Sequence, residues 1–182
     1  GLDKVVGEYE CGFVLGPRIN AAGRMGKSDI GVKLLLESDH EISVSLAIKL
    51  DELNKQRRSI EQDITVHATQ QAESQLEENP DLLVLVIADK SYNEGVLGIV
   101  AGRLKEQFAR PVFVLGVSPD NIAKGSGRSI PSIALGSLVL AARQSGILLT
   151  GGGHDMAAGA SLHVDKLEEF RAFLAQKISA HI

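Results

Sequence analysis

The sequence predicts an α/β fold, a sheet domain of roughly one hundred residues behind one long helix. Three observations lead there. From residue 39 to 79 there is neither Pro nor Gly, and apolar residues recur at helical spacing. After Pro80, short apolar runs alternate with amphipathic stretches. Glycine-rich segments punctuate the chain, most densely in GGGHDMAAG (151–159).

The elements follow in order. Residues 1–38 read as the end of something: a short apolar piece, CGFVLG (11–16), that Pro17 stops as a strand, then PRINAAGRMGKSD and a short helical pattern, IGVKLLLES. The long helix has Ser38 or Asp39 as its N-cap, Ile42, Leu46, Leu50, Leu53, Ile60, Ile64 and Ala68 along one stripe, and ENP as its stop. At the usual rise it is a rod of about 60 Å, long enough to connect two bodies. LLVLVIA (82–88) is a continuous apolar run, as expected of a strand buried on both faces. GVLGIVAGRLKEQF (95–108) is helical, PVFVLGV (111–117) a strand, and IAKGSGRS (122–129) a strand running into a polar turn. ALGSLVLAARQ (134–144) is a helix, ASLHV (160–164) a strand, and DKLEEFRAFLAQKISA a closing amphipathic helix capped by Asp165.

Composition narrows the function classes. The 182 residues are 44% hydrophobic but only 4% aromatic, with no Trp, so aliphatic side chains must fill the core. No apolar run is long enough for a membrane span, and the opening GLDKVVGEYE lacks a secretory signal pattern, so a cytosolic protein without membrane contact is expected. The single Cys11 cannot close an internal disulfide or build a zinc site. Eleven acidic residues face four basic ones between positions 37 and 81. That local balance of −7 leaves +3 on the rest of a chain whose total is −4. The glycine-rich parts are therefore mildly basic, which permits phosphate binding.

Three constellations bear on chemistry. In GGGHDMAAG, bare glycines let backbone N–H groups approach an anion, a following helix start would add its positive end, and His154 offers a donor. A tight loop with a surface histidine is the plainer alternative. In KGSGRS (124–129), Ser126 and Ser129 offer hydroxyls and Lys124 and Arg128 offer charge, the planar fork of Arg suiting phosphate oxygens. A solvated turn would also explain it. The third, GPRINAAGRMGKS (16–28), nearly satisfies the phosphate-loop spacing of nucleotide hydrolases at 21–28, with Asp89 as the second carboxylate. It lacks the first glycine and a directly preceding strand, and a forty-residue helix follows. The five histidines (40, 67, 154, 163 and 181) show no metal-ligand spacing, and no nucleophile elbow occurs. On these residues the chain grips a phosphate-bearing ligand and does not cut it.

LGPRINAAGR, GSGRS and GGGHDMAAG, in this order, resemble the RecJ branch of the DHH phosphoesterases, the third being the hallmark of their DHHA1 domain. GVLGIVAGRL (95–104) is similar to the helix after the first DHHA1 strand. The resemblance implies a mixed sheet flanked by helices. It divides the chain into the tail of a DHH catalytic domain (1–38), a connecting helix (39–80) and a DHHA1 domain (81–182). It implies a bacterial, cytoplasmic single-stranded-DNA 5′→3′ exonuclease of repair and recombination. The catalytic Mn²⁺ or Mg²⁺ would sit on Asp and His residues, including an Asp-His-His triplet, in a preceding domain. That triplet is absent from this sequence, so the chain is expected to be an inactive piece that lacks that domain and a following OB domain.

Site roles follow from the same resemblance. Ser126 and Arg128 would face the phosphates near the 5′ end, with Arg24 at the same phosphate. Arg18 would be a further contact, or a packing or salt-bridge residue. Gly151, Gly152, Gly153 and His154 would line the DNA cleft, with His154 a donor to the scissile phosphate. Tyr92-Asn93 stands where many relatives have Trp-His, so no role for that histidine carries over. Two alternatives remain: a related phosphodiesterase of short oligonucleotides or cyclic dinucleotides, and a non-catalytic nucleic-acid-binding module.

Overall fold

The computed structural model describes residues 5–180; His181 lies outside them. The backbone divides inside the long helix into two compact units, 1–60 and 61–182.

In the first unit a π-helical stretch, Glu10–Leu15, leads into α1 (Gly16–Arg24), followed by α2 (Asp29–Leu36) and the first half of α3 (His40–Glu78). The apolar piece expected to be a strand ended by Pro17 is thus helical. Pro17 occupies the first turn of α1, directly after the π-helical stretch, where the regular i→i−4 bonding is already interrupted. Ala21, Ala22, Ile30, Leu50 and Leu53 form a small core, bordered by Met25, Leu34 and Leu46. Asp39 is the N-cap of α3, its carboxylate accepting from the Ile42 N–H at 3.0 Å. Residues 21–28 end α1 and turn into α2, so no strand–loop–helix phosphate loop exists.

The second unit is a five-stranded mixed sheet in the order β1-β2-β3-β5-β4: Leu85–Asp89, Val112–Val117, Ile122–Arg128, Ala157–His163 and Thr150–His154. Only β1 and β2 are parallel, joined through α4 (Leu97–Phe108) as a βαβ unit requires. α5 (Leu135–Gln144) and α6 (Leu167–Ser179) complete the domain. β1 begins three residues later than the apolar run suggested. Asp165 does not cap α6, since a short 3₁₀ turn, Val164–Lys166, precedes that helix and no side chain caps it.

Register sorts the side chains into two faces. On one, Val86, Phe113, Leu115, Ala123, Ala158, Ala160 and Leu162 pack under α5 and α6, where Leu135, Val139, Phe170 and Leu174 are fully buried. Phe113 lies over Gly127 on the next strand and meets Phe170 edge-on at 5.2 Å. α4 covers the other face, but its contacts concentrate on β2 and β3. The second half of α3 joins that layer through an Arg103–Glu61 ion pair and the edge contact of His67 with Tyr92 at 5.6 Å. The β1 edge is closed: the Val86 carbonyl accepts from Gln75 Nε2 at 3.1 Å and from Arg171 Nη2 at 2.6 Å.

Candidate functional site

GGGHDMAAG is a β-hairpin, and no helix begins within it. Thr150–His154 turns through Asp155 and Met156 into Ala157–His163. KGSGR likewise lies wholly inside β3, in the interior of the sheet, and is no turn. Both corrections have one consequence. With side chains alternating across a strand, the two motifs present alternate residues to the same face.

The pairings give that face its plan. Arg128 lies beside Ala157, which lies beside His154. One step along, Ser126, Gly159 and Gly152 form a second row, and Lys124, Ser161 and Thr150 form a third. Gly152, Gly159, His154, Thr150 and Lys124 are exposed, while Ser126, Arg128 and Ser161 are half-buried. The β5 and β4 ends of these rows lie beyond the main reach of α4, which borders the β3 end.

The glycines separate cleanly into two kinds. A Cβ on Gly153 would stand 2.3 Å from the Ala157 carbonyl oxygen, and one on Gly151 would stand 2.7 Å from Val139. Those two face the α5 side and are demanded by packing. A Cβ on Gly152 would meet nothing within 4 Å, and one on Gly159 only the Gly125 carbonyl oxygen at 3.7 Å. Among the described residues nothing requires those two to be bare. The glycines of β3 are of the first kind, since a Cβ on Gly125 would lie 2.1 Å from the Val114 carbonyl oxygen.

Arg128 is placed by the same economy of space. Its Nη1 donates to the Gly127 carbonyl at 2.8 Å, and a Cβ on Gly98 would lie 2.7 Å from its Nη2 and 3.4 Å from Ser126 Oγ. Gly98 is the second residue of α4, so the positive end of that helix adjoins the guanidinium and the Ser126 hydroxyl. Hydroxyl, fork and helix end together suit an anion. Ser129 is different: fully buried, it donates its hydroxyl to the Ile133 carbonyl at 2.7 Å and serves the fold. An open groove of about 460 Å³ follows the outer edge of β4, between Gly151, Gly152, Gly153 and His154 and the Gly136, Ser137, Leu140 and Arg143 side of α5.

Arg18 and Arg24 belong to the first unit. Arg18 is engaged locally, its Nε donating to Asp51 at 2.9 Å and its Nη1 to the Val14 carbonyl at 2.8 Å. Arg24 is exposed at the end of α1. Asp89 forms a turn: its carboxylate accepts from the Ser91 hydroxyl at 2.6 Å and the Ser91 amide at 2.8 Å, which hold its pKa below the usual 3.8. Among the described residues no three His, Cys, Asp or Glu side chains converge. The residues present therefore do not fit the divalent metal that the resemblance implies.

Sequence reasoning missed Gly98, Thr150 and Ser161 as members of this face. Period-two alternation through Lys124, Ser126 and Arg128, and through Gly159, Ser161 and His163, was the signal available for the strand residues. Nothing local marks Gly98.

The comparisons agree with the fold and the motifs. The model of the DHHA1 domain family matches residues 79–180. The chain belongs to the DHHA1 family. The single-stranded-DNA-specific exonuclease RecJ of Dickeya dadantii (strain 3937) is 44% identical over 173 residues, covering 93% of this chain and 30% of that relative. Its namesake in Escherichia coli (strain K12) is 41% identical over 166 residues, covering 89% of the chain and 29% of the relative. This DHHA1 chain thus spans under a third of those curated relatives. The crystal structure of RecJ in complex with Mg²⁺ from Thermus thermophilus superposes with a TM-score of 0.82 at 30% identity, over 94% of this chain and 26% of that one. An exonuclease RecJ bound to manganese gives a TM-score of 0.78 at 30% identity, over 93% and 41% of the two chains.

Proposed function

We propose that the chain is the substrate-holding part of a RecJ-type single-stranded-DNA 5′→3′ exonuclease of the bacterial cytoplasm, and that it grips DNA without cutting it. The observation that carries this reading is the bare strip at Gly152 and Gly159, two glycines that packing does not require, flanked by Ser126, Arg128 and His154. A sugar-phosphate backbone laid on that strip would meet peptide groups and no side chain. Arg128 and the Ser126 hydroxyl would take the terminal 5′ phosphate, helped by the positive end of α4. His154, in the same row as Arg128, would donate to the scissile phosphate. Arg24 is assigned to the same phosphate on the resemblance of its motif alone. Arg18, held by Asp51, would position α1 and touch no DNA. We assign the Mn²⁺ or Mg²⁺ of hydrolysis to a DHH domain preceding this chain in a longer protein, with an OB domain following.

The test is fluorescence anisotropy with a labelled, 5′-phosphorylated single-stranded oligonucleotide. Arg128→Ala is expected to weaken binding several-fold and to flatten the salt dependence by about 0.7 in log–log slope, the share of one single-strand phosphate contact. Equal binding by the wild type and Arg128→Ala would overturn the reading. A cyclic dinucleotide that displaces the oligonucleotide at lower concentration than unlabelled oligonucleotide does would transfer the site to the other DHHA1 phosphodiesterases.

A further inference from the structure

The buried stripe of α3 in the second unit begins with a carboxylate. Glu61, Ile64, Ala68 and Ala72 follow one another at helical spacing, and all four are at most 5% exposed. Three of them are what packing asks for. A carboxylate in that place gives up its hydration, which an apolar side chain of similar size would not have to do. Glu61 is ion-paired with Arg103 of α4, whose own side chain is 57% exposed. On the sheet side of α4, Leu97, Val100, Ala101 and Leu104 are fully buried over β2 and β3. Burial of that kind has no preferred direction and fixes a helix only weakly along the strands beneath it. A charge-assisted hydrogen bond has both a length and a direction. Arg103 lies five residues beyond Gly98, about 7.5 Å along the helix axis. Gly98 is where α4 meets Arg128 and Ser126, a Cβ there standing 2.7 Å from Arg128 Nη2 and 3.4 Å from Ser126 Oγ. A shift of α4 by about 1 Å would press the helix onto the guanidinium or draw its positive end away, enough to disturb a positioned group. A second tie lies ahead of α4, where His67 meets Tyr92 edge-on at 5.6 Å. The second half of α3 thus holds this segment on either side of Gly98.

We propose that Glu61 and Arg103 are positioning residues for the terminal-phosphate site: the buried pair sets α4 along the sheet so that its first turn stands against Arg128 and Ser126. Neither residue touches DNA. This rests on the reading that Ser126 and Arg128 hold the 5′ phosphate. It gives the carboxylate a task that stability alone does not, since apolar side chains often replace a buried ion pair with no loss of stability.

The experiment measures one ratio by anisotropy: the affinity for a 3′-labelled, 5′-phosphorylated decathymidylate over that for the same strand with a 5′ hydroxyl. The variants are Glu61→Gln, the apolar double Glu61→Leu/Arg103→Met, and Arg128→Ala, with thermal melts confirming the fold of each. The wild type should favour the phosphorylated strand, and Arg128→Ala should erase that preference. The apolar double should hold or raise the thermal midpoint, yet its preference should fall by about two- to tenfold, the range of one hydrogen bond. Its affinity for the hydroxyl strand should stay at the wild-type value. Glu61→Gln, which keeps the shape and an acceptor, should lie between the double and the wild type. If the double is folded and keeps the wild-type ratio, the pair is structural only and the positioning role is wrong. If the double does not fold, Glu61→Gln decides: a lowered midpoint with the wild-type ratio overturns the role, and a reduced ratio upholds it. A wild type without the preference, or an Arg128→Ala variant that keeps it, overturns the terminal-phosphate reading and the positioning role with it.

Discussion

At the scale of single residues, adjacent glycines in one strand do opposite work. Gly153→Ala would drive a methyl group into the Ala157 carbonyl oxygen and should cost about 1–3 kcal/mol of stability. Gly152→Ala adds its methyl group to open space, so the thermal midpoint should hold while DNA affinity falls several-fold. Thermal melts and anisotropy on the two variants separate these outcomes. If Gly152→Ala unfolds the protein, or leaves binding intact, the bare strip is not a contact surface. Tyr92 carries the opposite kind of anomaly, a side chain only 5% exposed whose hydroxyl has no hydrogen-bond partner. Burial, and to a lesser degree the charge of Asp89, push its pKa well above the usual tyrosine value. A buried, unsatisfied hydroxyl is a net cost, so Tyr92→Phe should raise the unfolding free energy by about 1 kcal/mol in urea denaturation. A loss of stability would mean that the hydroxyl contributes a bond.

At the scale of elements, α3 and the strand at 122–129 were legible, whereas the helical turns of 10–24 and the glycine hairpin were not. α3 announces itself through its period, its Asp39 cap and the Pro80 stop, and these local signals all agree. The hairpin of β4 and β5 gives no such signal. Its turn is Asp155-Met156, without the Asn-Gly or Asp-Gly that marks a two-residue turn, and three consecutive glycines disguise the first strand. β3 was read as a strand, but why it carries glycines was not legible, since they answer to Phe113 and the β2 backbone, contacts distant in sequence. Ser126, Arg128 and His154 could be named from their motifs. Their company on one face could not, because it depends on register. Edge protection is also a matter of elements. β1 is shielded because Gln75 of α3 and Arg171 of α6 both donate to the Val86 carbonyl. Removing both donors with Gln75→Ala and Arg171→Ala should cost about 1–3 kcal/mol, read from urea unfolding, by leaving that acceptor unsatisfied. Each single variant should cost less than half of the double, since either donor alone still serves the carbonyl. Simple additivity would contradict a shared role.

At the scale of the whole molecule, an acidic chain gathers basic side chains on one face of its sheet. The net charge of −4 is dominated by the stretch from 37 to 81, whereas Lys124, Arg128 and His154 gather on one side of the sheet. The asymmetry comes from packing. α5 and α6 cover one face of the sheet with a full apolar core, and α4 stops short on the other, leaving β5 and β4 open. The central claim is that this open face, and no other, receives single-stranded DNA. It is tested most directly by titrating ¹⁵N-labelled protein with a short 5′-phosphorylated oligonucleotide and following the backbone amides. The account predicts that the largest shifts fall on Ser126, Arg128, Gly152, His154, Gly159 and Ser161, with the α6 amides unmoved. Shifts centred on α5 and α6, with the Gly152 and Gly159 amides still, would contradict it.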